Sequence, residues 1–237
     1  MRFFALIPAA GTGARFGGAV PKQYAMLDGA PLLGHALARL REHVPLEEPP
    51  RVLLAHDDSW FDRFDSLPSQ GIALRCGGAT RAHTVRNGLD SLVGIASDDD
   101  WVLVHDAARP CIDAASLRRL QREIADDEVG GLLAIPALAT IKRADSEGRV
   151  VRTEAREGLW LAQTPQVFRF GLLREALSKD DIARFTDEAQ AIEALGLHPR
   201  LIEGSSMNIK ITLADDLELA SAILAQQRRQ RAGNAMT

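Results

Sequence analysis

Short apolar runs alternate with amphipathic stretches along most of the chain. The runs Phe3-Phe4-Ala5-Leu6-Ile7, Arg51-Val52-Leu53-Leu54-Ala55, Ile72-Ala73-Leu74, Trp101-Val102-Leu103-Val104-His105 and Gly131-Leu132-Leu133-Ala134-Ile135-Pro136 are close to continuously apolar, as strands covered on both faces are. Between them, Leu32, Leu33, Ala36, Leu37 and Leu40 recur at helical spacing after Pro31, a residue suited to the first turn of a helix. Further helices are predicted over 114–125, 171–178 and 214–229, the last with Leu217, Ala220, Ile223 and Leu224 on its apolar face; Thr186-Asp187-Glu188 reads as the start of another. Strands and helices alternating in this way imply βαβ units. The expected architecture is α/β and Rossmann-like, a mainly parallel twisted sheet with helices on both faces.

The alternation breaks after residue 136. Thr140-Ile141-Lys142-Arg143-Ala144 and Arg149-Val150-Val151-Arg152-Thr153 flank the turn-rich Asp145-Ser146-Glu147-Gly148, which predicts a protruding β-hairpin arm within 137–157. A two-stranded ribbon is marginal alone, and packing against a second subunit is the natural way to stabilise it. Arg200-Leu201-Ile202-Glu203-Gly204 and Asn208-Ile209-Lys210-Ile211 read as short strands. Trp60, Phe61 and Phe64 fall on one face of a short helix and are assigned to the core. Residues 1–230 read as a single domain and 231–237 as a disordered tail.

Composition narrows the class without changing the fold. Hydrophobic residues at 46% and charged residues at 25% are near globular averages, and 237 residues suffice for a full core. A net charge of −4 argues against a nucleic-acid binder, which needs a broad basic face. Anionic substrates must then be held by local cations. Cys76 and Cys111 are far apart with no CxxC, as expected of free thiols in a reducing cytoplasm. The basic, apolar start resembles a small signal peptide, but its apolar run is shorter than the roughly 7–15 residues required and Pro8 ends it. No stretch reaches the roughly 20 apolar residues of a membrane span. The expectation is a soluble, cytoplasmic protein.

Candidate chemistry sits where strands end. The first apolar run leads into Pro8-Ala9-Ala10-Gly11-Thr12-Gly13-Ala14-Arg15, then Pro21-Lys22-Gln23-Tyr24. Gly11 and Gly13 have no Cβ to block a phosphate from the backbone N–H groups, and Arg15 and Lys22 add the charge that amides lack. A glycine turn after a strand is also an ordinary tight connection, so this loop alone does not decide the matter. A second such unit, Cys76-Gly77-Gly78-Ala79-Thr80-Arg81-Ala82-His83-Thr84, places Arg81 and Thr84 in the first turns of a helix, where anions are attracted. Asp106 and Arg109 follow the fourth run in Asp106-Ala107-Ala108-Arg109-Pro110, beyond the carboxyl end of a strand. A carboxylate there suits Mg²⁺ or a substrate hydroxyl; a helix cap or a bond to Arg109 is the plain alternative. Alternation along the strand turns His105 away from Asp106, and the six histidines suggest no zinc site.

Taken together, Pro8 to Arg15 with Pro21-Lys22-Gln23-Tyr24, Gly77-Gly78 with Arg81, Val104-His105-Asp106-Ala107-Ala108-Arg109-Pro110, Thr164-Pro165-Gln166 and Asn208-Ile209-Lys210-Ile211-Thr212 resemble the 2-C-methyl-D-erythritol 4-phosphate cytidylyltransferases, over essentially the whole chain. The resemblance implies Mg²⁺-dependent homodimers with interlocking arms that join CTP and methylerythritol phosphate, releasing pyrophosphate. It implies that Pro8, Ala9, Ala10, Gly11, Gly13, Gly77, Gly78, Arg81 and Thr84 bind the nucleotide. Arg15 and Lys22 would be catalytic, and Asp106, Arg109, Thr164 and Lys210 would bind the acceptor, with Asp106 also the metal ligand. Thr140 and Arg156 would reach the partner's site. Two positions depart from the family pattern: Met207 stands where a carboxylate is frequent, and Ala79 where relatives can carry Asp. The open alternatives are a ribitol 5-phosphate cytidylyltransferase, another sugar-phosphate nucleotidyltransferase, or a nucleotide-binding regulatory module without catalysis.

Overall fold

Burial on both faces explains why the apolar runs form strands. Phe4, Leu6, Leu53, Val102, Val104 and Phe168 face one core, while Ala5, Ile7, Val52, Leu54, Leu103 and Val167 face another. The computed structural model describes residues 1–13, 16–17, 20–179 and 181–234. In chain order its strands are β1 (Phe3–Pro8), β2 (Met26–Leu27), β3 (Ala30–Pro31), β4 (Arg51–Leu53), β5 (Ile72–Leu74), β6 (Trp101–Val104), β7 (Gly130–Pro136), β8 (Ile141–Ala144), β9 (Val150–Glu154), β10 (Trp160–Arg169) and β11 (Arg200–Glu203). Its helices are α1 (Leu32–His43), α2 (Arg81–Asp90), α3 (Ala114–Ile124), α4 (Phe170–Ala176), α5 (Glu188–Glu193) and α6 (Asp216–Asn234).

Seven strands make the main sheet, in the order β11-β7-β10-β6-β1-β4-β5. β1 is parallel to β4 and β6, β4 to β5, and β7 to β11. β10 runs antiparallel between β6 and β7, with Gln166 opposite Val104, and its ladder to β7 is irregular between Ala162 and Gln166. The apolar pattern does not predict this strand, because Pro165 offers no N–H and interrupts the run. Leu33, Leu37 and Leu40 of α1 and Leu117, Leu120 and Ile124 of α3 fill the core on one face. On the other lie Val85 and Leu89 of α2, Leu173 of α4 and Ile192 of α5. Side chains cap three helices: Thr80, Asp113 and Asp187 accept from the N–H groups of His83, Ser116 and Gln190.

The arm forms as the sequence predicts. β8 and β9 pair antiparallel as a separate ribbon, and Asp145 Oδ1 accepts from the N–H groups of Glu147 and Arg149, each at 2.9 Å, to close the turn. Three expectations are corrected. Residues 208–211 are not a strand: the buried Asn208 side chain donates to Thr164 O at 2.9 Å and Ile211 N–H to Ala108 O at 2.8 Å, so packing produced the alternation. Around Phe61 there is a single tight turn, Phe61–Arg63, although the core role holds: Phe61 is buried and Trp60 and Phe64 stack on Tyr24. The last helix starts at Asp216 and continues to Asn234, so 231–234 are helical, while 235–237 lie outside the described residues. Among the described residues, no helix is long and apolar enough to cross a membrane. Both cysteines are free.

Candidate active site

Parallel pairing brings the carboxyl ends of β1, β4, β5 and β6 to one side of the sheet, where the loops after β1, β5 and β6 meet. Ala9 N–H donates to Leu53 O and Gly77 N–H to Leu54 O, at 2.8 and 2.7 Å. A Cβ on Gly77 would stand 2.7 Å from Ala10 Cβ and 3.0 Å from Leu54 O, so glycine is what lets the two loops touch. Gly13, at φ +65°, packs so closely on Lys22 that a Cβ would come within 2.7 Å of the lysine Cβ. Gln23 Nε2 donates to Ala9 O at 2.7 Å, tying the Lys22 turn to the β1 loop. Thr84 Oγ1 accepts from Gly78 N–H and donates to Thr80 O, so this hydroxyl shapes the second glycine loop.

Between these loops lies a cleft of about 410 Å³, walled by Pro8 to Gly13, Lys22, Gly78 to Arg81, Thr84, Asp106 and Lys210. A smaller pocket of about 170 Å³ adjoins it, adding Arg109, Thr164 and Gln166, and the two share Arg81, Asp106 and Lys210. Asp106 is the hinge of the arrangement. Its Oδ1 accepts from Arg81 Nε and Nη2, at 3.3 and 3.2 Å, and its Oδ2 from Lys210 Nζ at 2.7 Å, with Arg109 Nε 4.0 Å away. Burial alone would raise the Asp106 carboxyl, but Arg81, Lys210 and Arg109 outweigh it and hold the group well below the usual carboxylate range. Lys22 Nζ donates to Ile211 O at 2.9 Å from the far wall.

Beneath Asp106 a chain of hydrogen bonds runs in one direction. Asp106 N–H donates to Thr164 Oγ1 at 3.0 Å, Thr164 Oγ1 lies 3.1 Å from His105 Nδ1, and His105 Nε2 lies 3.1 Å from Arg109 O. Burial pushes the His105 imidazole down to about 4. A neutral ring that donates from Nε2 to the carbonyl and accepts the Thr164 hydroxyl at Nδ1 satisfies every member. Arg109 is anchored from the other side, donating to Asn208 O at 2.6 Å.

For a divalent cation the donor set is sparse. No three His, Cys, Asp or Glu side chains gather among the described residues, and Asp106 is the single carboxylate in the cleft's described lining. One carboxylate fits Mg²⁺ when the remaining ligands are substrate phosphates and water, the usual arrangement for that ion.

This architecture has known counterparts. Residues 3–226 match the family described as 2-C-methyl-D-erythritol 4-phosphate cytidylyltransferase. The chain is 54% identical over 229 residues to the protein of that name from Dechloromonas aromatica, covering 96% of this chain and 99% of the relative. It is 51% identical to the one from Chromobacterium violaceum, covering 93% and 97%. Among solved structures it is similar to a 4-diphosphocytidyl-2C-methyl-D-erythritol synthase, with a TM-score of 0.82, 39% identity and 94% and 98% coverage. The Francisella tularensis 2-C-methyl-D-erythritol 4-phosphate cytidylyltransferase superposes with a TM-score of 0.79 at 35% identity, covering 94% and 100%. The chain belongs to this cytidylyltransferase family.

The residues singled out for the family divide among distinct places. Pro8, Ala9, Ala10, Gly11, Gly13, Lys22, Gly78, Arg81, Thr84, Asp106 and Lys210 line the cleft, and Arg109 and Thr164 the adjoining pocket. Gly77 packs behind the cleft wall. Thr140 and Arg156 are exposed on the arm, where Arg156 donates to Leu138 O. Arg15 lies outside the described residues. Met207 lines neither pocket. Gln23 and Asn208 stand within the motifs that carry the resemblance but have no role of their own there; the structure makes them supports of the site, and Glu188 joins them. Thr186-Asp187-Glu188 reads in sequence as a helix start, and nothing there signals that Glu188 turns inward to Arg81.

Proposed function

We propose that the chain transfers the cytidylyl group of CTP to 2-C-methyl-D-erythritol 4-phosphate, giving 4-diphosphocytidyl-2-C-methyl-D-erythritol and pyrophosphate in non-mevalonate isoprenoid precursor biosynthesis. The observation that supports it best is the pair of adjoining pockets that share Asp106, Arg81 and Lys210. Two anionic substrates need such a common wall of cations, and the glycine loops admit a triphosphate on one side of it.

In the reaction a phosphate oxygen of the acceptor forms a bond to the α-phosphorus. The bond from that phosphorus to the bridging oxygen breaks, and its electron pair leaves with pyrophosphate. The nucleophile is already ionised, so no general base is required; the enzyme's task is to align two anions and offset their charge. Backbone amides of residues 9–13 cradle the phosphates. Lys22 and Arg15 meet the charge that builds at the α-phosphorus, and Lys210 and Arg109 hold the acceptor phosphate. Asp106 would hold Mg²⁺ together with the triphosphate, and the ion would supply Lewis-acid polarisation of the phosphoryl oxygens.

The active unit in this reading is a cytoplasmic homodimer in which each arm brings Thr140 and Arg156 to the partner's acceptor pocket. The exposed Val150, Val151, Leu138 and Leu161 on and beside the arm support it, since an apolar surface of this kind is suited to a protein partner. The deciding experiment is pyrophosphate release from the purified protein across a grid of nucleoside triphosphates and polyol phosphates. CTP with methylerythritol phosphate is expected to give the highest rate. Turnover of ribitol 5-phosphate with silence from methylerythritol phosphate would overturn the acceptor and keep the reaction class.

A further inference from the structure

Glu188 is the most buried acid near the two pockets, although it lines neither of them. It is 1% exposed, at the first position of α5, and its Oε1 accepts from Arg81 Nη1 at 2.5 Å. Arg81 turns its other edge to Asp106 Oδ1, and Asp106 Oδ2 takes Lys210. Four charges of alternating sign therefore run from the interior to the pocket wall: Glu188, Arg81, Asp106, Lys210. The inner end is rigidly built. Gln166 Oε1 accepts from Ala189 N–H at 2.8 Å while Gln166 Nε2 donates to Asp187 Oδ2 at 2.9 Å, locking the start of α5 to the strand that carries Thr164.

We propose that Glu188 is a positioning residue for the acceptor: by anchoring Arg81 it fixes the Asp106 carboxylate at the junction of the two pockets. This rests on the reading of the smaller pocket as the acceptor's place. A buried acid costs stability unless paired, and Glu188 Oε2 has no hydrogen-bond partner. Burial pushes the Glu188 carboxyl up and the Arg81 guanidinium against it works the other way, so the anchor rests on the direct contact between the two. With Glu188 present, Arg81 is held by two carboxylates at one place in the wall between the pockets. Without it, Asp106 alone would hold Arg81, and the carboxylate and the guanidinium could shift together.

The test combines kinetics with a direct view of Arg81. In Glu188→Gln the KM for methylerythritol phosphate is expected to rise about tenfold, as when a residue orienting a site ligand is lost, while the KM for CTP stays within about threefold of wild type. In wild-type protein the Arg81 Nε–Hε resonance is expected to exchange slowly with water, and in the variant rapidly. Glu188→Asp keeps the charge but withdraws it by one methylene; it is expected to show the same KM split more weakly, and it serves if the glutamine variant does not fold. Equal changes in both KM values, or an unaltered Arg81 resonance with unaltered kinetics, would overturn the proposal. If wild type turned over no polyol phosphate while the resonance still depended on Glu188, the anchor would stand and the acceptor reading would fall.

Discussion

At the scale of single residues, two side chains separate what the site does from what holds it up. Lys22 reaches from the β1 loop to the Ile211 carbonyl across the cleft; in the proposed reaction its cation offsets charge that grows only as the bond to phosphorus forms. Lys22→Ala is therefore expected to lower kcat by about 10²–10³-fold with an unchanged melting temperature; a near-normal rate would remove Lys22 from the chemistry. His105 belongs to the support. Its imidazole is buried and pushed down from 6.5 to about 4. An unfolded chain takes up this proton from pH 6.5 downward, and the folded chain only below about 4. The stability tied to a neutral His105 is thus complete above pH 6.5 and falls as the pH drops towards 4, by about 3 kcal/mol. His105→Gln has no proton to gain, so the stability gap between wild type and variant in urea unfolding is expected to be widest at pH 7 and to shrink towards pH 4. Parallel profiles would contradict a neutral buried ring. Residues carrying charge at a strand end, such as Lys22 and Asp106, were legible because their position gives their exposure. Glu188 and the Thr164 to His105 relay were not, since contacts across 107 and 59 residues of chain leave no local pattern.

At the scale of elements, the sequence was most informative where a strand or helix carries its own periodicity. The five apolar runs, α1 and α3 follow from local patterning, because burial on both faces or on one stripe is written into consecutive residues. β10 was hidden by Pro165, and the 208–211 segment mimicked a strand because Asn208 and Ile211 turn inward as loop residues. The arm is the element that the proposed dimer would explain. Val150 and Val151 are 63% and 60% exposed on a ribbon too small to be stable alone. Replacing both by Glu is expected to shift the protein from about twice the chain mass to the chain mass in light scattering, with the far-ultraviolet dichroism of the body retained. A variant that stays dimeric would place the interface elsewhere.

At the scale of the molecule, the proposed dimer divides the work between body and arm. The sheet sets the loops after β1, β5 and β6 side by side, and with the segment after β11 they bring Lys22, Asp106 and Lys210 to one cleft within a single chain. Thr140 and Arg156 sit away from that wall on the arm and line neither pocket of their own chain. If each arm serves the partner, a site consists of Lys22 from one protomer and Arg156 from the other. Lys22→Ala and Arg156→Ala homodimers are then both inactive, and they fail in different halves of the site. Mixing them and allowing exchange makes half of the dimers mixed, and each mixed dimer has one site with both residues intact and one with neither. Activity is expected to return to about a quarter of wild type per site, a value fixed by twofold symmetry rather than by the strength of either interaction. A mixture as inactive as its components would mean that Arg156 acts on its own chain, and the arm would then be an assembly device without a share in the chemistry.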